Sequence, residues 1–230
     1  MPALFLDGDL VVKILQIIAI DVLLGGDNAV VIALACRRLA PELRTQGILW
    51  GTLGAIILRI VLISFALGLL SLPYLRIVGA LLLLWIGIKL LLPEPEDDHD
   101  KIPASTHLLG AIRTIIIADA VMSLDNVVAV AGAADGHVLL VAIGILISVP
   151  IIVWGSKLVL HLMERYPVVI TLGAALLGWI AGEMPLEDRA LTALTGELPG
   201  WIHLAAPALG AAFVVGVGRA VAARRQPPGR

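Results

Sequence analysis

Two aspartate pairs lie in the middle of long apolar runs, and nothing else in the chain constrains its fold as strongly. One run reads Ala19-Ile20-Asp21-Val-Leu-Leu-Gly25-Gly26-Asp27-Asn28-Ala-Val-Val31; another reads Ile117-Ala118-Asp119-Ala-Val-Met122-Ser123-Leu124-Asp125-Asn126-Val-Val-Ala129. The spacing Asp-x5-Asp-Asn is identical in both, at an offset of 98 residues. A carboxylate this far inside an apolar run has no route to an interface by snorkelling. At a bilayer centre it costs a few kcal/mol even on lenient scales. Buried carboxylates must be paired, protonated or bound to a cation.

The solvent around these runs follows from composition. Of the 230 residues, 60% are hydrophobic and 15% charged, against about 25% charged in an ordinary soluble domain. Mean hydropathy is +1.02. The expectation is an all-α, polytopic transmembrane helical bundle, because in lipid a segment must satisfy its backbone internally. Seven segments approach the roughly 20 residues that a span requires: 10–36, 46–70, 73–92, 109–133, 137–160, 166–182 and 203–222. The chain opens with Asp7 and Asp9, where a secretory signal would carry basic residues, so the first segment is expected to be retained. A single cysteine, Cys36, excludes an intramolecular disulfide and reads as packing.

Basic residues near span ends set orientation. With the N-terminus outside, twelve of the sixteen Lys and Arg face the cytoplasm and three (Lys13, Arg76, Arg189) face out, while Arg59 lies within the second span. Six or eight spans would break this alternation. The chain is therefore expected in a bacterial-type plasma membrane, N-terminus out and C-terminus in.

The third and sixth segments also correspond: Pro73, Gly79-Ala80 and Trp85-Ile86 recur as Pro167, Gly173-Ala174 and Trp179-Ile180, at an offset of 94. The second and fifth align poorly. A unit of three spans inverts when repeated, which is the plan of many secondary transporters, with sites near the midplane on broken helices. The expected organisation is a first repeat (1–92), a cytoplasmic acidic linker (93–107), a second, inverted repeat (108–182), an external loop (183–202), and a seventh span with a basic tail (203–230).

On an unbroken helix, positions i and i+7 share a face, so Asp21 would lie with Asn28 and Asp119 with Asn126. Asp27 would point aside. Gly25-Gly26 weakens the first helix there, so a break is expected that swings Asp27 inward; Ser123-Leu124 predicts a milder one in the second copy. Six side chains would then converge: Asp21, Asp27, Asn28, Asp119, Asp125 and Asn126. All offer oxygen, which suits Mg2+, Ca2+ or Mn2+ better than Zn2+ or Cu+. Met122 is a softer neighbour that reads as packing.

At these two motifs the sequence resembles the TerC family of membrane proteins, more closely its YjbE-like branch, and the likeness in length and span count extends over the whole chain. The resemblance implies an exporter of metal ions, chiefly Mn2+, within the wider LysE-type transporter group, and carries the acidic and Asn positions onto the six residues above.

The resulting expectation is a secondary transporter with a divalent metal ion as substrate, no cofactor, the lipid bilayer and protons as further partners, and no nucleic acid. Protons would compete for the same carboxylates. No Gly-x4-Gly-Lys-Ser/Thr loop suggests an ATPase and no His-Glu-x2-His suggests a metalloenzyme, so no enzyme is expected. The rival readings are export of amino acids or other small solutes, which would want a cationic partner for a carboxylate, and an accessory subunit that hands metal to exported enzymes. Arg59 either pairs with Asp21 or Asp119 in the metal-free state or holds helix-end carbonyls. The acidic run 94–100 reads as a solvated linker, the histidines at 107, 137, 161 and 203 as interfacial, and 183–199 as room for a short surface helix.

Overall fold

The computed structural model describes residues 8–24, 26–65, 72–92, 104–133, 138–196 and 198–225, with side chains excepted at 8–13, 23–24, 63–64, 104–106, 124–133, 138, 140 and 225. The acidic run 94–100 and His137 lie outside the described residues.

Among the described residues the chain is helical, with no strand. In order come α1 (Gly8–Leu24), α2 (Gly26–Cys36), α3 (Pro41–Ser64), α4 (Leu75–Leu91), α5 (Ala104–Ala133), α6 (Val138–Arg165), α7 (Val168–Glu183), a 3-10 turn (Met184–Glu187), α8 (Arg189–Thr195) and α9 (Ile202–Arg225). Pro41 opens α3, where its missing N–H costs nothing. Helices α3, α6, α7 and α9 are long and apolar enough to cross a membrane, and α1 with α2 forms a fifth candidate bent by 50°. Among the described residues, four or five of the seven expected segments thus meet the requirements of a span. Helix α4 has 17 residues, short of the usual roughly 20, because Tyr74 before it takes a left-handed conformation (φ 63°). Helix α5 has 30 residues, with side chains described only as far as Ser123.

Polarity is inverted relative to a water-soluble bundle. Along the apolar run of α3 the exposed side chains include Leu49, Trp50, Leu53, Ile57 and Val61, whereas Thr52 and Arg59 are buried. Helix α6 likewise exposes Leu146, Ile147, Ile151 and Trp154 and buries Ser148 and Ser156. So continuous an apolar exterior calls for lipid.

Helix α3 packs along α5, while α6 packs along α1 and α2; α4 lies on α7, and α9 covers both. Glycines set the first two contacts. A Cβ at Gly51 of α3 would run into Ile115 of α5, and one at Gly144 of α6 would run into Ile17 of α1. Each isoleucine lies one turn before an aspartate, Asp119 or Asp21. Gly79 of α4 meets Val121 of α5, and Gly173 of α7 meets Val30 and Leu34 of α2. The main core joins Leu34, Leu83, Ile86, Ala118, Met122 and Leu177, among others, so Met122 packs as expected.

At one end of the bundle, Arg37 donates to the Leu90 carbonyl (2.6 Å) and Arg38 to those of Lys89 (3.0 Å), Leu90 (3.1 Å) and Leu92. These are the orphan carbonyls at the end of α4, which favour a cation. Asp188, from the segment after α7, binds the N–H groups at the start of α4.

Candidate functional site

Four helices bring one side chain each to a common point in the interior. Asp21 comes from the last turn of α1, Arg59 from α3, Asp119 from α5 and Ser148 from α6. Arg59, Asp21 and Asp119 retain only 4%, 2% and 7% of their surface. One guanidinium bridges both acids: Nη1 donates to Asp21 Oδ1, and Nη2 donates to Asp119 Oδ1 at 2.6 Å. The remaining carboxylate oxygens are also taken. Ser148 Oγ donates to Asp21 Oδ2 while lying 2.8 Å from the Ile145 carbonyl, and Ser123 Oγ donates to Asp119 Oδ2 at 3.2 Å. Arg59 Nε has no hydrogen-bond partner.

The fork geometry of arginine suits this bridge. Two carboxylates facing one guanidinium nevertheless leave, when both are ionised, an excess negative charge in the interior of the bundle. Along the same helices lie two apolar clusters, one of Ile17, Ile56, Val141 and Ile145 and one of Ile32, Ile48, Ala55, Ile115 and Ile152. Excess charge in such surroundings is costly unless a cation compensates it.

The two other first-motif residues lie beyond the break. Helix α1 stops at Leu24 and α2 starts at Gly26, with Asp27 in its first turn, where the helix dipole favours an acid. Asp27 is half-buried, and its Oδ1 accepts the Asn28 N–H at 2.9 Å. It makes no hydrogen bond to Arg59, but lies within electrostatic reach of both Arg59 and Asp119. Asn28 is buried at 3% exposure, and neither its amide oxygen nor its amide nitrogen has a hydrogen-bond partner. In the second copy, α5 runs unbroken through Ser123-Leu124. The side chains of Asp125 and Asn126 lie outside those described. Among the described residues no three carboxylate, histidine or cysteine side chains form a ready chelate.

The structure thus joins Asp21 to Asp119 and leaves Asp27 and Asn28 along α2. Of the two readings of Arg59, pairing with the acids is the one observed; holding helix-end carbonyls falls to Arg37 and Arg38. Ser148 escaped the sequence reading. A lone serine in a span ordinarily bonds back to its own helix, as Ser156 does to Ile152 (2.7 Å), so only the fold separates the two.

An all-helical bundle with an apolar exterior and a buried carboxylate–guanidinium cluster defines an integral membrane protein. The chain belongs to the integral membrane protein TerC family, which it matches over residues 6–226. It is 44% identical to the uncharacterized membrane protein YjbE of Bacillus subtilis, over 91% of this chain and 95% of YjbE. It is 25% identical to the uncharacterized membrane protein YceF of the same organism, over 74% of this chain and 68% of YceF. Against the inner membrane protein YoaE of Escherichia coli it is 26% identical over 69% of this chain, which spans 34% of that longer protein. No solved structure matches the chain.

Proposed function

We propose that the chain is a secondary transporter exporting a hard divalent cation, with Mn2+ as its principal substrate, through a midplane site of Asp and Asn side chains. The observation that carries this reading is the buried cluster itself. Asp21 and Asp119 hold the same position in two copies of one motif, come from different helices, and together outnumber their single arginine. A transported divalent cation would supply the missing positive charge. Asp27, Asn28, Asp125 and Asn126 would complete an oxygen-only ligand set of the kind Mn2+ and Mg2+ accept. Protons are the co-substrate in this reading, competing for the same oxygens.

The reading includes seven spans, N-terminus outside, built as a 3+3 inverted repeat plus a last span. What supports the repeat is the exchange symmetry of the packing. Exchanging the first three spans for the next three turns the α3–α5 contact into the α6–α1 contact. Ile17 at Gly144 then corresponds to Ile115 at Gly51, and the two isoleucines are 98 residues apart, like the two aspartate motifs. In this reading the first half, bent between α1 and α2, is the moving element.

One observation favours a second reading, export of an amino acid: Arg59 is the buried cation that a solute carboxylate would require. Both of its Nη groups are already engaged by aspartates, which places metal first. The test is cellular Mn2+ content in cells expressing wild type, Asp27→Asn or Asp119→Asn. Wild type should lower it and both variants should not. Equal export by the variants, or none by wild type alongside export of amino acids from loaded vesicles, refutes the metal site.

A further inference from the structure

We propose that Arg59 is a tethered counter-cation that holds the carboxylates while the site is empty of metal and is exchanged for the incoming ion. This inference rests on the transporter reading above. All four oxygens of Asp21 and Asp119 are engaged, two by the guanidinium and two by Ser148 and Ser123. A hard cation binds such oxygens at about 2.0–2.6 Å, in the space the guanidinium now fills, and its own charge repels the arginine. Metal and Arg59 therefore occupy this pair of acids alternately. Among the described residues the bonds to these two acids are the guanidinium's hydrogen bonds, and Nε has no partner.

The device is single. Carrying the Gly51-to-Gly144 register along the helices makes Ile152 of α6, buried and apolar, the counterpart of Arg59 of α3. One guanidinium therefore serves both halves and bridges an acid from each. When the metal leaves, Arg59 re-enters, and the empty carrier returns across the membrane with its acids already countered. The metal-loaded carrier has no need of Arg59 to cross. Metal-for-metal exchange, in which the carrier always crosses loaded, should therefore survive without it, whereas net export should not.

The full-length protein in proteoliposomes tests this with radioactive Mn2+, measuring net efflux into metal-free buffer and exchange with Mn2+ on both sides. Arg59→Gln should bind Mn2+ about tenfold tighter, as expected where a competitor fills the site some nine-tenths of the time. It should also keep exchange while net efflux falls about tenfold or more. Arg59→Lys keeps a cation but loses the two-pronged bridge, so it should retain net efflux and bind Mn2+ more tightly than wild type. A parallel fall of exchange and net efflux in Arg59→Gln, without tighter binding, makes Arg59 a merely structural residue and overturns the proposal. If Arg59→Gln does not fold, unchanged or weaker Mn2+ binding by Arg59→Lys overturns it equally. A wild type that neither binds nor moves Mn2+, Mg2+ or Ca2+ sinks the transporter reading itself, and the inference with it.

Discussion

Aspartates in this chain serve two purposes, separated by what faces them. Asp21 and Asp119 face a guanidinium and each other. Asp188 faces backbone. Its Oδ1 accepts from Ala190 N (2.9 Å) and Tyr74 N (3.1 Å), and its Oδ2 from Arg76 N (3.2 Å). Burial alone would raise its pKa, but the backbone N–H groups of Ala190, Tyr74, Arg76 and Ile77 outweigh burial and hold the carboxyl below its ordinary range. This one side chain caps α8, holds the left-handed Tyr74 in place and binds the start of α4. Because its folded pKa is depressed, its stabilisation is present above the unfolded aspartate value of about 3.9 and is lost as pH falls through the folded pKa. Asp188→Ala should cost about 1–2 kcal/mol, as for a lost helix cap. Asp188→Asn should unfold below wild type near neutrality, with the gap in melting temperature closing as pH drops under about 3.9. A gap that persists into acid would mean that shape, not charge, matters there.

At the scale of helices, the closest approach is between α7 and α9. A Cβ on Gly178 would meet the Gly210 carbonyl and Ala211 Cα (2.8 Å), and one on Gly182 would meet the Ala206 carbonyl and Pro207 Cα (2.7 Å). The obstacles are backbone, which cannot rotate away. Small residues let helices touch in this way where lipid provides no hydrophobic drive. Gly178→Ala should therefore destabilise by about 1–3 kcal/mol through overpacking. Gly216→Ala, whose Cβ would meet nothing within 4 Å, should stabilise by about 0.5–1 kcal/mol on helix propensity. Opposite shifts of the thermal midpoint in detergent are the expected result, and same-sign shifts would contradict the packing. Element boundaries are also informative here. Helix α3 begins at Pro41, ahead of its apolar run at 46, α5 at Ala104 ahead of 109, and α6 continues to Arg165 beyond 160. Hydropathy reads where lipid ends, whereas backbone hydrogen bonding continues into the interface.

Across the whole molecule, the helices that carry the cluster meet in two contacts that mirror each other. Gly51 receives Ile115 and Gly144 receives Ile17, and each isoleucine sets the depth of the aspartate one turn on. Gly51→Val and Gly144→Val should each cost about 1–3 kcal/mol, by similar amounts, and should together lower the Mn2+ export proposed above. Unequal effects, with one glycine dispensable for export, would separate the two halves.

Membrane residence, helical elements and the burial of Asp21 and Asp119 were legible in the sequence, because each follows from local composition and from the cost of charge in an apolar run. The Gly25-Gly26 break was legible for the same reason: two glycines weaken any helix. Only the tertiary structure decided which groups meet. Asp21 and Asp119 share a guanidinium 38 and 60 residues away, Ser148 reaches across to another helix while Ser156 does not, and Asp188 caps a helix more than a hundred residues earlier. Such pairings depend on how four helices cross and on glycines that set their depth. Spacing along one chain determines which face a side chain lies on, whereas packing between helices determines what that face meets.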